Sequence, residues 1–291
     1  MGAERKRAMT HTRRRPARPA RALLAVPCFL LLSFALPPAP AGALDDAPAR
    51  VQDGAAASGQ EAADPAAQEL AARILAAVGG EEGWAKARYL AFTFAAGRSH
   101  RWDRSTGEHR VAGTTEDGKP FVVLHDLDTR EGEAWVDGEA LSGDEAAAML
   151  ENAYGAWVND TYWLLVPFKL RDPGVRLEHA GGEEVDGVAY EKLHLSFADV
   201  GLTPGDEYWL YVNPESGLID RWAYQLQGED PPPVQWVWKE WRRHGPLRLS
   251  ELRVRVGDGR ELGLSDIEVA EAAPAGAFTP AAAPTPPGDR P

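Results

Sequence analysis

From residue 175 onward the chain alternates between apolar and polar residues. The runs are VRLEHAG, VAYEKLHLSF, EYWLYVN, IDRWAYQLQ, VQWVWKEW, LRLSELRVRV and LGLSDIEVAE. Turn residues separate them at Gly181-Gly182, Asp186-Gly187, Pro214–Gly217, Gly245-Pro246 and Gly257–Gly259. A period of two bounded by turn signals predicts half-buried strands. The pattern begins earlier, with YLAFTF after Arg88, a hairpin in HRWDRSTGEHRV, and short runs in PFVVLHDLD and EAWVDGEAL. Ser105-Thr106-Gly107 supplies the hairpin turn and Asp137-Gly138 another. About eleven short, closely linked strands predict one antiparallel meander.

Two helical stretches interrupt it. Asp64-Pro65 is a helix start, since Asp caps well and Pro suits the first turn. Leu70, Ile74, Ala77 and Val78 share one face, Gly79-Gly80 ends the helix, and a short turn follows at Gly83-Trp84. A second helix starts at Ser142, whose spacing to Glu145 is that of a capping box. Leu150, Ala153, Tyr154 and Trp157 form its apolar stripe. Asn159-Asp160 is expected to end this helix and cap a short one carrying Tyr162, Trp163 and Leu165. Pro167 breaks that apolar run, which is too short to span a bilayer. The fold class expected is α+β: a strongly curved antiparallel sheet, an incomplete β-barrel, with helices plugging its open side.

The ends differ in composition. Residues 1–43 carry eight basic residues and one acidic one, then the apolar run Ala22–Leu36, then Ala41-Gly42-Ala43. That order predicts a secretory signal peptide cleaved after Ala43, and hence a periplasmic location. Residues 44–63 read as a flexible linker, 64–272 as the folded domain, and 273–291 as a disordered Pro/Ala tail in which only Phe278 has docking character. The whole chain carries 31 basic and 44 acidic residues, and cleavage makes it more acidic. This argues against nucleic acid as a partner. The single cysteine, Cys28, leaves with the signal peptide, so neither disulfides nor thiol chemistry are expected.

Three stretches carry a resemblance: Gly79-Gly80 through Trp84 before the first strand, YWLYVNPESGLIDRW at 208–222, and EWRRHGPLRLSELRVRVGDGRELGLSDIEV before the tail. In this order, over residues 68–272, the chain resembles the half-barrel superfamily of periplasmic lipoprotein carriers and their outer-membrane receptors (the LolA/LolB type). WVNDTYWLLVPFKLRDPG is similar to a poorly characterised exported family within it. The resemblance implies an incomplete barrel closed by helices around an apolar cavity for lipid acyl chains.

Trp102, Trp135, Tyr154, Trp157, Tyr162, Trp163, Phe168, Trp209, Trp222, Trp236 and Trp238 are therefore the candidate ligand-binding residues. The same rings would equally fill a core. Within VQWVWKEW, alternation places Trp236 and Trp238 on one face and Trp241 on the other. His100, His109, His125 and His194 read as isolated surface histidines, because no metal-ligand spacing joins them. There is no G-x-S-x-G, P-loop or G-x-G-x-x-G element. No catalytic residue, metal or cofactor is expected. The sequence thus points to a monomeric, non-catalytic, carrier-like protein whose partner is a hydrophobic small molecule or lipid. The alternatives are an envelope protein interaction module with a filled core and, third, a periplasmic hydrolase or metal-dependent enzyme.

Overall fold

The computed structural model describes residues 64–198 and 203–280. The expected signal peptide, the linker up to residue 63 and the tail from residue 281 lie outside the described residues.

Thirteen strands form one antiparallel sheet. They are β1 (Tyr89–Phe94), β2 (Arg98–Asp103), β3 (Glu108–Thr114), β4 (Pro120–Asp126), β5 (Gly132–Val136), β6 (Glu139–Ala140), β7 (Val175–Val185), β8 (Val188–Phe197), β9 (Glu207–Val212), β10 (Ile219–Gln225), β11 (Val234–His244), β12 (Leu247–Arg255) and β13 (Glu261–Ala270). The spatial order is β6-β5-β4-β3-β2-β1-β13-β12-β11-β10-β9-β8-β7. Two meanders are thus joined by one non-local pair, in which Leu90 lies opposite Val269 and Phe94 opposite Leu264. The sheet does not close, because β6 and β7 are its two edges. It is the incomplete barrel of an α+β fold, with two strands more than the sequence pattern suggested. EAWVDGEAL resolves into a five-residue strand and a two-residue edge.

Three helices complete it: α1 (Pro65–Val78), α2 (Gly80–Lys86) and α3 (Gly143–Lys169). Asp64 caps α1 by accepting from the Ala66 and Ala67 amides. Its other oxygen accepts from the His179 amide at 2.7 Å, so the capping residue also ties α1 to the edge strand β7. α2 is a seven-residue helix where the sequence suggested only a turn.

The chain leaves the sheet at one edge, β6, and re-enters at the other, β7. The connection must cross the open side, and α3, with 27 residues, extends about 40 Å. Contrary to the sequence reading, it does not break at Asn159-Asp160. Asp160 is fully buried and its carboxylate bonds across to the sheet, so no helix end needs it as a cap. Ser142 does precede the first turn, but its side chain makes no capping bond.

The core lies between the sheet and the helices. One cluster joins Leu70, Ile74 and Val166 to Leu193, Leu210, Ile219, Trp222, Trp236 and Trp238. A second joins Val78, Leu164, Leu165 and Phe168 to Leu90, Phe92, Leu247 and Leu249. Beyond Ala270 the chain lies on the outer face. Arg101 donates to the Ala277 carbonyl, Arg110 to the Thr279 carbonyl, and the Phe278 ring meets Tyr89 edge-on at 6.4 Å.

Candidate functional site: the face beneath the crossing helix

Two groups of side chains meet α3 on the concave face. The first is aromatic. Trp163, on α3, sits 4.8 Å from Trp222 and 5.2 Å from Trp236, ring to ring, with both contacts near-perpendicular. Trp222 continues to Trp238 at 5.5 Å, and Trp238 to Trp241 at 5.6 Å. Tyr162 joins through Tyr208 at 5.4 Å. The contacts among Trp163, Trp222, Trp236 and Trp238 are edge-to-face, with the positive rim of one ring against the negative face of the next, whereas Trp238–Trp241 and Tyr162–Tyr208 are tilted. Trp241 belongs to this set although alternation assigned it to the opposite face. Glu240, just before it, has a left-handed backbone (φ 54°), which breaks the two-residue alternation.

A second aromatic set lies further along α3. Trp157 meets Trp102 at 5.2 Å and Tyr154 at 5.6 Å, and Phe168 stacks on Trp84 at 4.5 Å. Trp209 lies apart, stacked on His194 in a small cluster with Tyr190, Tyr211 and Ala223. Trp135 follows Ala134, which packs toward α3, so strand alternation puts it on the other face. Of the eleven ligand candidates, nine therefore gather under α3 in two sets, while Trp135 and Trp209 do not.

Pro167 gives the first set an unusual anchor. A proline has no amide hydrogen, so the carbonyl four residues earlier, that of Trp163, loses its helical partner. Arg253 of β12 replaces it: its Nη2 donates to the Trp163 oxygen at 2.6 Å. The same guanidinium lies 3.5 Å from the Trp238 ring centroid. The sequence reading missed Arg253, whose alternation with Leu252 and Val254 looks like that of any strand arginine.

The second group is polar and buried. Asp160 accepts from Arg98 Nε and Nη2 at 2.8 and 2.7 Å, and pairs with His100 Nε2 at 2.8 Å. His100 Nδ1 lies 3.0 Å from His109 Nε2, and His109 Nδ1 lies 2.6 Å from His125 Nε2. All three rings are at most 5% exposed, which corrects the expectation of isolated surface histidines. Residues 100, 109 and 125 sit on adjacent strands, with His109 directly opposite His125 in the register. One pattern of neutral rings satisfies every contact: each Nε2–H donates toward Asp160 along the string, and His125 Nδ1 is left as an acceptor without a partner.

Burial pushes His109 far below the ordinary histidine value and brings His125 down to about 4. Burial raises Asp160, but the bonds from His100 and Arg98 outweigh it and hold the carboxylate below its ordinary range. Among the described residues no group of three or more His, Cys, Asp and Glu has an arrangement that holds a metal ion. His194 stays separate from the string, between Glu178 and Glu207.

No family model matches the chain, and no curated protein does. Solved structures do. A LolA superfamily protein from Nitrosomonas europaea aligns with 73% of this chain and 97% of its own, at 12% identity and a TM-score of 0.40. A putative outer membrane lipoprotein-sorting protein domain from Vibrio parahaemolyticus aligns over 73% and 94%, at 13% and 0.37. A DUF1329 family protein from Desulfovibrio piger aligns over 70% and 92%, at 12% and 0.37. Two of these three structures bear a LolA or lipoprotein-sorting description, the type that the sequence resembles. Nothing about ligand or activity passes from them to this chain.

Proposed function

We propose that the mature protein is an exported, periplasmic binding protein that holds a hydrophobic ligand, a lipid or an acyl chain, between α3 and the concave sheet face. It acts as a carrier-like monomer without catalysing a reaction. The observation supporting this is the seat of Trp163 among Trp222 and Trp236. α3 spans the open side of the half-barrel and meets the sheet there through a seat of aromatic rings, a surface of the kind that lines sites for apolar guests.

The test is native mass spectrometry and organic extraction of the protein purified from its own envelope, with fluorescent fatty acids added to the stripped protein. A co-purifying lipid and saturable uptake support the reading. Absence of both overturns it.

One observation favours a second reading, an envelope interaction module. Trp222, Trp236 and Trp238 are at most 4% exposed, so the interior around them is filled. That reading gains if a partner protein binds while every apolar probe fails.

A further inference from the structure

Among the described residues Arg253 is the largest charged side chain that is fully buried, at 0% exposure. Its Nη1 donates to the Ser250 hydroxyl at 2.6 Å and to the Ser250 and Leu252 carbonyls at 3.1 and 3.3 Å, and its Nη2 donates to the Trp163 carbonyl. All these acceptors are neutral. Among the described residues no carboxylate offsets its charge, and burial alone acts on it. An arginine stays protonated in proteins, and a buried charge without a counter-ion costs several kcal/mol.

The surroundings add donors rather than acceptors. Arg253 Nε is buried with no hydrogen-bond partner, and so are the indole N–H groups of Trp222, Trp238 and Trp241. The groups that carry them are contiguous: the guanidinium lies on the Trp238 ring, which touches both other indole rings. The packed region beneath α3 therefore combines one positive charge without a carboxylate among the described residues, a surplus of N–H donors and apolar neighbours in Leu193, Leu210 and Ile219.

From this imbalance we infer that Arg253 and the indoles of Trp222, Trp238 and Trp241 form the head-group subsite for an amphiphile ending in an oxyanion, a carboxylate or phosphate monoester on an apolar chain. The inference rests on the hydrophobic-ligand reading above and specifies its ligand class. The oxyanion supplies the missing charge and acceptors, and the chain lies along the apolar neighbours. A free small anion lacks the apolar part that makes entry between α3 and the sheet favourable.

The experiment compares dodecanoate and dodecyl phosphate with dodecanol, and with acetate and inorganic phosphate, on the delipidated mature protein by calorimetry. Loss of a charge-assisted contact is worth about tenfold or more, so both anionic amphiphiles should bind at least about tenfold tighter than dodecanol. Acetate and phosphate should not compete at equal concentration. In nitrogen-labelled protein the indole N–H signals of Trp222, Trp238 and Trp241 should shift with dodecanoate and not with dodecanol. Arg253→Gln should bring dodecanoate down to dodecanol's affinity, and Arg253→Lys should keep part of the preference.

Equal affinities for dodecanoate and dodecanol overturn the subsite while leaving the hydrophobic-ligand reading standing. Failure of all amphiphiles overturns both. Tight binding of acetate or phosphate alone overturns the amphiphile. The comparison on the unsubstituted protein decides these outcomes even where a substituted protein does not fold.

Discussion

At the scale of single residues, Asp160 joins α3 to the sheet. It receives two bonds from Arg98 and one from His100 while fully buried. Removing one partner of a buried charged set strands the other, so Asp160→Ala should destabilise the fold by about 3 kcal/mol or more, read by denaturant unfolding. The histidines give a pH dependence with a definite sign. His109 and His125 are held neutral in the folded state, whereas their unfolded forms take a proton near 6.5. Stability from these two is complete above about 6.5 and declines as the pH falls toward about 4, where His125 itself titrates, with a slope of up to about 1.4 kcal/mol per unit for each ring. Asp160, held low by its partners, adds its own loss only below the ordinary carboxylate value of 3.8. A thermal-melting series from about pH 7.5 to about pH 4.5 should show this decline, and His109→Phe together with His125→Leu should flatten it. These residues were visible in the sequence, but their grouping was not. Positions 100, 109 and 125 meet only because three strands pair in one register.

At the scale of elements, α3 shows how a sequence signal can point the wrong way. Asn159-Asp160 has the chemistry of a helix boundary, yet the surrounding apolar residues pack on both sides of it and the helix runs through. Its partners lie some 60 residues away in β2, where no local rule can see them. Trp163→Ala removes the ring that meets Trp222 and Trp236 and should cost about 3–5 kcal/mol, measured by chemical unfolding. If it changes neither stability nor uptake of a fluorescent fatty acid, α3 is not a plug. The joint between α1 and α2 was more legible. Gly79-Gly80 ends α1 as the sequence indicates, and Gly79 has φ 131° with Pro246 O only 2.7 Å from where a Cβ would stand. Gly79→Ala should therefore destabilise by about 1–3 kcal/mol, since both the backbone angle and the space oppose it. Calorimetric melting of the variant checks this.

At the scale of the whole molecule, the sheet depends on one long-range pairing and on what covers its faces. β1 and β13 join the two meanders, and the segment after Ala270 lies over Tyr89, Arg101 and Arg110 on the outer face of that same region. Deleting residues 271–291 leaves Arg110 and Tyr89 without this cover and should lower stability by about 1–3 kcal/mol, seen as a lower melting temperature with the secondary structure retained by circular dichroism.

The sequence by itself determined most of the strands and the first helix. Period-two runs and turn pairs specify short antiparallel strands, and Asp64-Pro65 and Gly79-Gly80 bound the first helix, because the chemistry of turns, caps and alternation is local. Only the tertiary structure decided which face each ring joins after Glu240, that three histidines and Asp160 form one buried string, and that Arg253 stands beneath α3 with no carboxylate of the described residues beside it. Each of these depends on residues tens to more than a hundred positions apart. Their encounter is fixed by strand register and by a helix obliged to cross from one sheet edge to the other, and neither is written in any short stretch of the chain.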